Sequence, residues 1–315
     1  MKKYFKELIR FSIVCIPGYF VLLILWGIIP YSHNGSNLKY KQGSYGHLNT
    51  RVKEISGFGE VDILFVGSSR IYRGFDPRIF ENYGVRVFVL GSSGQTPVQS
   101  YILLKRYLKE LNPGLIVFDL FPRSFSKKGV ESSLDLLAND QIDSLSLNMA
   151  RKQDDILVWN TFIYAKLRQW MGMHQEFKEP RFKADRGDRY VSGGYVHKEL
   201  KFHQKIDCED SEEVKWATPN PLQTDFFNKI INLVGKMNIE LQLINMPIAN
   251  YDGYSNNDIL QPLWKETKLD YIDFNKVLTW RDSIDFYDNS HLNEIGVKKL
   301  NTYFVDQIIE VDSQE

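Results

Sequence analysis

The sequence predicts an α/β protein built on a parallel sheet with helices on both faces, preceded by a single membrane-spanning helix. Three observations carry that expectation. Short continuous apolar runs alternate with amphipathic segments from Val61 onward, the pattern of strands buried on both faces and separated by helices. A capping residue followed directly by Pro opens three of the helices, at Asp76-Pro77, Thr96-Pro97 and Asn220-Pro221. Nineteen consecutive uncharged residues, Phe11 to Ile29, lie near the amino terminus, close to the length a helix needs to cross hydrocarbon.

Composition narrows the class further. A chain of 315 residues suits one large or two small domains. With 43% hydrophobic and 14% aromatic residues it is an ordinary folded protein and not a disordered one. Lys plus Arg number 39 and Asp plus Glu 39, so no net basic field exists to hold nucleic acid by counterion release. Two cysteines, Cys15 and Cys208, cannot form a disulfide framework, and Cys15 lies inside the apolar run.

Lys2, Lys3, Lys6 and Arg10 precede the run, whereas the first basic residues beyond it are Lys39 and Lys41. The positive-inside rule then places the amino terminus in the cytoplasm and everything after Tyr31 outside, with Trp26 and Tyr31 at the far interface. Pro17 and Gly18 are compatible with a spanning helix. The stretch Trp26 to Tyr31 reads WGIIPY and offers no small-x-small cleavage site, so residues 1–31 are expected to stay as a cytoplasmic stub and anchor. Residues 32–60 are polar and rich in Gly and Ser and read as a tether, with room for a short helix.

The body, 61–315, follows in order. VDILFVG (61–67), RVFVLG (86–91) and GLIVFDLF (114–121) are expected strands, with helices opened by Asp76-Pro77 and by Thr96-Pro97 between them. The second helix carries Val98, Tyr101, Ile102, Leu104, Leu108 and Leu111 at helical spacing. The rhythm breaks at about 122–218, an expected insertion with helical stretches such as 153–171, a polar segment RGDRYVSGGYV and the acidic run Glu209 to Glu213, and with no visible chemistry. Alternation resumes with a helix from Asn220, a strand IELQLINMPI (239–248), a last strand LDYIDF (269–274) and a final helix opened by Asn293. Ligands of such folds bind beyond the carboxyl ends of the strands.

Three short signals fall at those ends. Gly67-Ser68-Ser69-Arg70 closes the first strand, where a hydroxyl on a tight turn meets a substrate and free N–H groups can receive an oxyanion, although Gly-Ser-Ser is also common turn chemistry. Gly91-Ser92-Ser93-Gly94-Gln95-Thr96-Pro97 follows the second strand, where Gly94 can present its N–H; it does not match the G-x-G-x-x-G phosphate fingerprint. Asp288-Asn289-Ser290-His291 precedes the final helix and is the only Asp-x-x-His in the chain. A serine needs an imidazole to take its proton, and the imidazole needs a carboxylate on its other nitrogen; Asp288 and His291 can supply both.

With these residues in view, the chain resembles the SGNH (GDSL-type) hydrolase superfamily over roughly 61–121 and 220–310. The resemblance rests on strand-GSS, the Gly-x-x-Gly loop after the second strand and DNSHLNEIG before the last helix. It implies a three-layer α/β/α sandwich, Ser69 rather than Ser68 as nucleophile, Asp288 and His291 as its partners, and Gly94 with the Ser69 N–H as oxyanion donors. Where the family carries an Asn after the third strand, this chain reads Asp119-Leu120-Phe121-Pro122-Arg123, so the third donor is missing or replaced, with Arg123 in a position to stand in. The single span and helical insertion also look like membrane-tethered SGNH proteins that work beside membrane-bound O-acyltransferases on cell-envelope polysaccharides.

Two functions are therefore expected. One is an extracytoplasmic serine acyl-ester hydrolase or O-acyltransferase without metal or cofactor, in which the anchor favours transfer by holding the site near a membrane-delivered donor. The other is an anchored scaffold that binds a polysaccharide or a membrane-bound O-acyltransferase and performs no chemistry, favoured by the altered third block. His197 and His203 have no third ligand of metal-site spacing. His33, His47 and His174 read as exposed polar residues, and Asn245-Met246-Pro247 as a strand-to-loop turn or pocket wall.

Overall fold

The computed structural model describes residues 2–28, 37–43, 46–173, 177–203 and 214–312. Ile29, Tyr31, His33, His174, Cys208 and the run Glu209 to Glu213 lie outside the described residues. Helix α1 (Lys2–Ile28) contains the expected span and, being 27 residues of high mean hydropathy and almost wholly exposed, is long and apolar enough to cross a membrane.

The body is one parallel sheet between two helical layers. Chain order gives α2 (Leu48–Phe58), β1 (Ile63–Gly67), α3 (Ser69–Gly74), α4 (Pro77–Glu81), β2 (Val87–Gly91), α5 (Pro97–Leu111) and β3 (Leu115–Asp119). Helices α6 (Pro122–Ser126), α7 (Val130–Asn139), α8 (Ser144–Gln153) and α9 (Ile156–Trp170) follow, then short strands β4 (Phe182–Lys183), β5 (Asp188–Val191), β6 (Tyr195–Lys198) and β7 (Val214–Lys215). The remainder is α10 (Pro221–Gly235), β8 (Glu240–Asn245), β9 (Tyr254–Ser255), α11 (Gln261–Lys265), β10 (Tyr271–Asp273), α12 (Phe274–Val277), α13 (Asp282–Asp285), β11 (Phe286–Asp288), β12 (His291–Leu292) and α14 (Glu294–Asp312). The sheet order is β10-β8-β3-β1-β2, all neighbours parallel.

Alternation within each strand makes the sandwich. Leu64 and Val66 of β1, Phe88 and Leu90 of β2 and Ile116 and Phe118 of β3 face the layer of α2, α5 and α7–α10. Ile63, Phe65, Val87, Val89 and Val117 face the other side, against Phe75, Phe80, Phe304 and the β5–β6 hairpin. Period-two side chains on a sheet buried on both faces leave no polar position inside β1, β2 and β3, so these read as unbroken apolar runs. Helix starts follow the capping signals: Asp76 accepts from the Arg78 N–H, Thr96 and Gln99 form a capping box, and Asn220 accepts from the Leu222 N–H.

Two expectations about organisation are corrected. The segment 32–60 is not a free tether: from residue 37 it packs onto the body, burying Leu38, Tyr40, Leu48 and Ile55, so the body begins well before Val61. Arg51 of α2 is 0% exposed; its guanidinium donates to the Gly91 carbonyl at 2.7 Å and to the Gly194 carbonyl at 2.7 and 3.0 Å. His47, expected at the surface, is buried beside Lys183 and Arg51, and burial followed by those charges lowers its pKa to about 4. The insertion, in turn, is built into the body: α7–α9 extend one helical layer, and the Gly193 carbonyl of the β5–β6 turn accepts the Val89 N–H, closing the open edge of β2.

Replacing Arg51 with Met removes the charged clamp between the end of β2 and the β5–β6 turn and leaves two carbonyls short of a donor. A loss of about 2–4 kcal/mol of stability is expected from hydrogen bonds to a charged group. Denaturant or thermal unfolding of Arg51→Met against the native chain measures it.

Candidate active site

The site is assembled at the carboxyl end of the sheet. β1 and β2 run in register with Gly67 opposite Gly91, which puts the two Gly-Ser-Ser turns side by side. Gly67 is required there: a Cβ would lie 2.6 Å from Ile71 Cγ1 and 3.0 Å from Asp119 Cβ. With no side chain in the way, the strand turns directly into α3, with Ser68 as N-cap in extended conformation and Ser69 as the first helical residue. A first-turn N–H has no intrahelical acceptor, so the Ser69 N–H is available to a developing negative charge.

From the other end of the chain comes an imidazole. β11 and β12 form a tight antiparallel pair in which Asp288 lies opposite His291. Asp288 Oδ1 accepts from the backbone N–H groups of Ser290 (2.8 Å) and His291 (2.9 Å), which fixes the turn. The imidazole Nδ1 lies 2.9 Å from both Asp288 oxygens and Nε2 lies 2.7 Å from Ser69 Oγ. Asn293 then caps α14, its Oδ1 accepting from Ile295 and Gly296 N–H groups. The three residues named from sequence, Ser69, Asp288 and His291, are thus brought together across 222 positions.

Electrostatics sets their protonation. Burial lowers the His291 pKa from its ordinary 6.5, and Arg73 and Arg70 push the same way, against Asp288. Burial acts to raise Asp288, but the bonds from His291 and the two backbone N–H groups outweigh it and hold the carboxyl below its ordinary value. The pair is therefore a carboxylate and a neutral imidazole at neutral pH, with the Asp288 contact at Nδ1 favouring a proton there and a lone pair at Nε2 towards Ser69. Tyr287 stacks on the imidazole, ring planes 5° apart and centroids 5.4 Å apart.

An open cavity of about 470 Å³ covers these groups. Its walls include Gly46, Tyr72, Arg73, Ser93 and, from the segment in which sequence showed no chemistry, Asp185, Arg186, Asp188, Lys198 and Lys201. Arg73 makes a two-pronged contact to Asp188 at 2.9 Å, and Lys198 reaches the same carboxylate at 3.2 Å. Burial alone would raise Asp188; these two cations outweigh it and lower it. Arg73 lies four residues after Ser69 on α3, the same-face spacing from which it was detectable. The hairpin residues gave no local signal, because only the fold of β4–β6 carries them to the site.

Gly94 and Arg123 are not among the residues that line the cavity. Gly94 adopts φ +59° with its α-carbon facing the Glu131 carboxylate, and among the described residues it is Ser93, not Gly94, that lines the cavity. Ser93 in turn gives its N–H to Asp135 (3.3 Å) and its hydroxyl to Glu131 (2.8 Å). Arg123 is exposed on α6 and does not line the cavity. Asp119, where the resemblance expects Asn, is buried against Arg70 with an N···O distance of 3.7 Å, while the Arg70 guanidinium lies 3.8 Å over the Phe121 ring and donates to the Met246 carbonyl and, at 3.4 Å, to Asn245 Oδ1. The altered third block and the Asn245-Met246 turn therefore hold the residue that follows Ser69.

No family model matches the chain, and no curated protein matches it. Among solved structures, a candidate acylhydrolase from Bacteroides fragilis is similar at a TM-score of 0.38 and 13% identity over 85% of this chain and 98% of its own. A GDSL-like lipase from Bacteroides thetaiotaomicron is similar at 0.41 and 11%, over 84% and 98%.

The depressed His291 pKa fixes the sign of the pH dependence. The rate at which a fluorophosphonate labels Ser69 is expected to rise with pH as the imidazole loses its proton, with a midpoint below 6.5, and to be flat above it. Labelling rates measured from pH 4.5 to 8 check this, and a midpoint above 6.5 contradicts it.

Proposed function

We propose that the chain is a serine acyl-ester enzyme of the SGNH (GDSL-type) hydrolase kind, acting on short acyl esters of a cell-envelope polysaccharide outside the cytoplasmic membrane. One observation carries the reading: Ser69 Oγ stands 2.7 Å from His291 Nε2 while Asp288 holds the other ring nitrogen at 2.9 Å. Those distances are the reach required for proton transfer from nucleophile to base and for orientation of the base. The scaffold reading gives no reason for a neutral imidazole aimed at a serine in an open cavity.

In the proposed reaction Ser69 Oγ attacks the ester carbonyl carbon as its proton passes to His291 Nε2. The carbonyl oxygen becomes an oxyanion facing the first turn of α3, where the Ser69 N–H supports it. Collapse breaks the bond to the leaving alkoxide, which takes the proton from His291 and leaves an acyl-serine. Water or a sugar hydroxyl then gives its proton to His291 and attacks the acyl carbon, the bond from that carbon to Ser69 Oγ breaks, and Oγ takes the proton back from His291. Asp288 stays ionised throughout and stabilises the imidazolium in each step. Hydrolysis and transfer differ in the acceptor alone, and α1 supports transfer by keeping the site near a membrane-borne donor or a membrane-bound O-acyltransferase.

The cavity supports a short acyl group and a polar acceptor. Among the described residues no aliphatic side chain lines it; the walls are Tyr, Ser, Asp, Lys and Arg. A long acyl chain would lie against charged groups with only the Tyr72 and Tyr287 rings as apolar surface to offset their desolvation.

Ser69→Ala is expected to abolish fluorophosphonate labelling, and Asp288→Asn to slow turnover of an aryl acetate by about 10,000-fold. Acetyl esters are expected to react faster than octanoyl esters of the same alcohol. Absence of labelling in the native chain, or labelling that survives in Ser69→Ala, leaves the scaffold.

A further inference from the structure

The outer half of α1 does not run free of the body. Tyr19 donates its hydroxyl to Asn160 Oδ1 at 2.5 Å, and the Tyr164 hydroxyl donates to the Gly27 carbonyl at 2.9 Å. Leu23 and Gly27 are the buried residues of α1, and a Cβ on Gly27 would come within 2.2 Å of the Tyr164 ring. Both partners belong to α9. Because Tyr19 meets Asn160 and Gly27 meets Tyr164, the two helices lie alongside each other in the same direction.

That contact has a consequence in lengths. Uncharged helix below it, Phe11 to Gly18, spans about 12 Å at 1.5 Å per residue, against about 30 Å of hydrocarbon. The helix can cross a bilayer only if the turns from Tyr19 to Gly27, and the α9 surface beside them, also lie at membrane depth. The surface of α9 suits lipid: Ile156 is 66% and Trp170 83% exposed, Met171 and Met173 follow, and Trp159 and Phe162 are half-buried. On α9 itself the exposed cation is Lys166, a long side chain that can lie along apolar surface while its ammonium reaches towards headgroups; exposed Arg151 and Lys152 belong to α8, before its start. α1 is exposed along most of its length, its buried residues being Leu23 and Gly27.

We propose that α9 and the turn after it are embedded in the lipid bilayer beside α1, so that the body is mounted on the membrane by two helices. This rests on reading α1 as a membrane span. The mount fixes the height and orientation of the Ser69 cavity above the lipid.

The test uses the full chain, with Cys15→Ser and Cys208→Ser, in phosphatidylcholine–phosphatidylglycerol vesicles with or without brominated acyl chains. A bimane label is placed in turn through Leu22→Cys on α1, Ile156→Cys and Trp170→Cys on α9, and Tyr83→Cys on the opposite helical layer. Bromolipid is expected to quench the labels at 22, 156 and 170 and to spare the one at 83. Quenching at 22 without quenching at 156 and 170 overturns the proposal and leaves the span intact. No quenching at 22 removes the span reading and the proposal with it. Loss of fluorescence at 156 and 170 that follows protein density and ignores bromine assigns the face to a second copy of the chain and also overturns the proposal.

Discussion

The close packing at Gly67 is the constraint on which the site depends. A strand buried on both faces must leave the sheet where helix, neighbouring strand and turn crowd together, and only a residue without a Cβ fits between Ile71 and Asp119. That fit lets β1 pass into α3 without a connecting loop and sets the direction of the first helical residue, Ser69. A hydroxyl on a long loop would pay an ordering cost to reach one position. Here the sheet itself supplies the order, and the in-register Gly91 turn adds a second wall beside it.

Charge is arranged in two tiers around that turn. Behind it, Arg70 and Asp119 face each other out of solvent, with Phe121 under the guanidinium and the ends of β8 and β10 joined through Asn245 and Asp273. A buried ion pair of this kind adds little net stability, because desolvation offsets most of the attraction; what it fixes is position. In front, Arg73, Lys198 and Asp188 form the cavity wall, and the cation next to the imidazole helps keep it neutral. The same side-chain chemistry thus anchors the turn from below and tunes its base from above.

Strands β1 to β3, the caps and the Asp288–His291 turn were legible in the sequence because each depends on near neighbours. Apolar runs mark β1, β2 and β3, Pro after a cap marks α4, α5 and α10, and the Asp288–His291 turn closes within four residues. Packing of 37–60 was not legible: Arg51 matters through carbonyls 40 and 143 positions away, and locally it is one cation in a polar stretch. The cavity wall from Asp185 to Lys201 was hidden for the same reason, since a short hairpin reads as loop until its place against β2 is known. Arg123, assigned to the site by its position after β3, is turned to solvent by a short helix that begins at Pro122.

The 222-position gap between Ser69 and His291 sets a timetable for reactivity. A ribosome delivers the hydroxyl early, inside strands that already pair with one another, and delivers the imidazole among the final turns, just ahead of α14. A nascent or carboxyl-terminally clipped chain would hold a correctly placed but unactivated alcohol. The serine–imidazole contact therefore closes only when the last turns of the chain have folded.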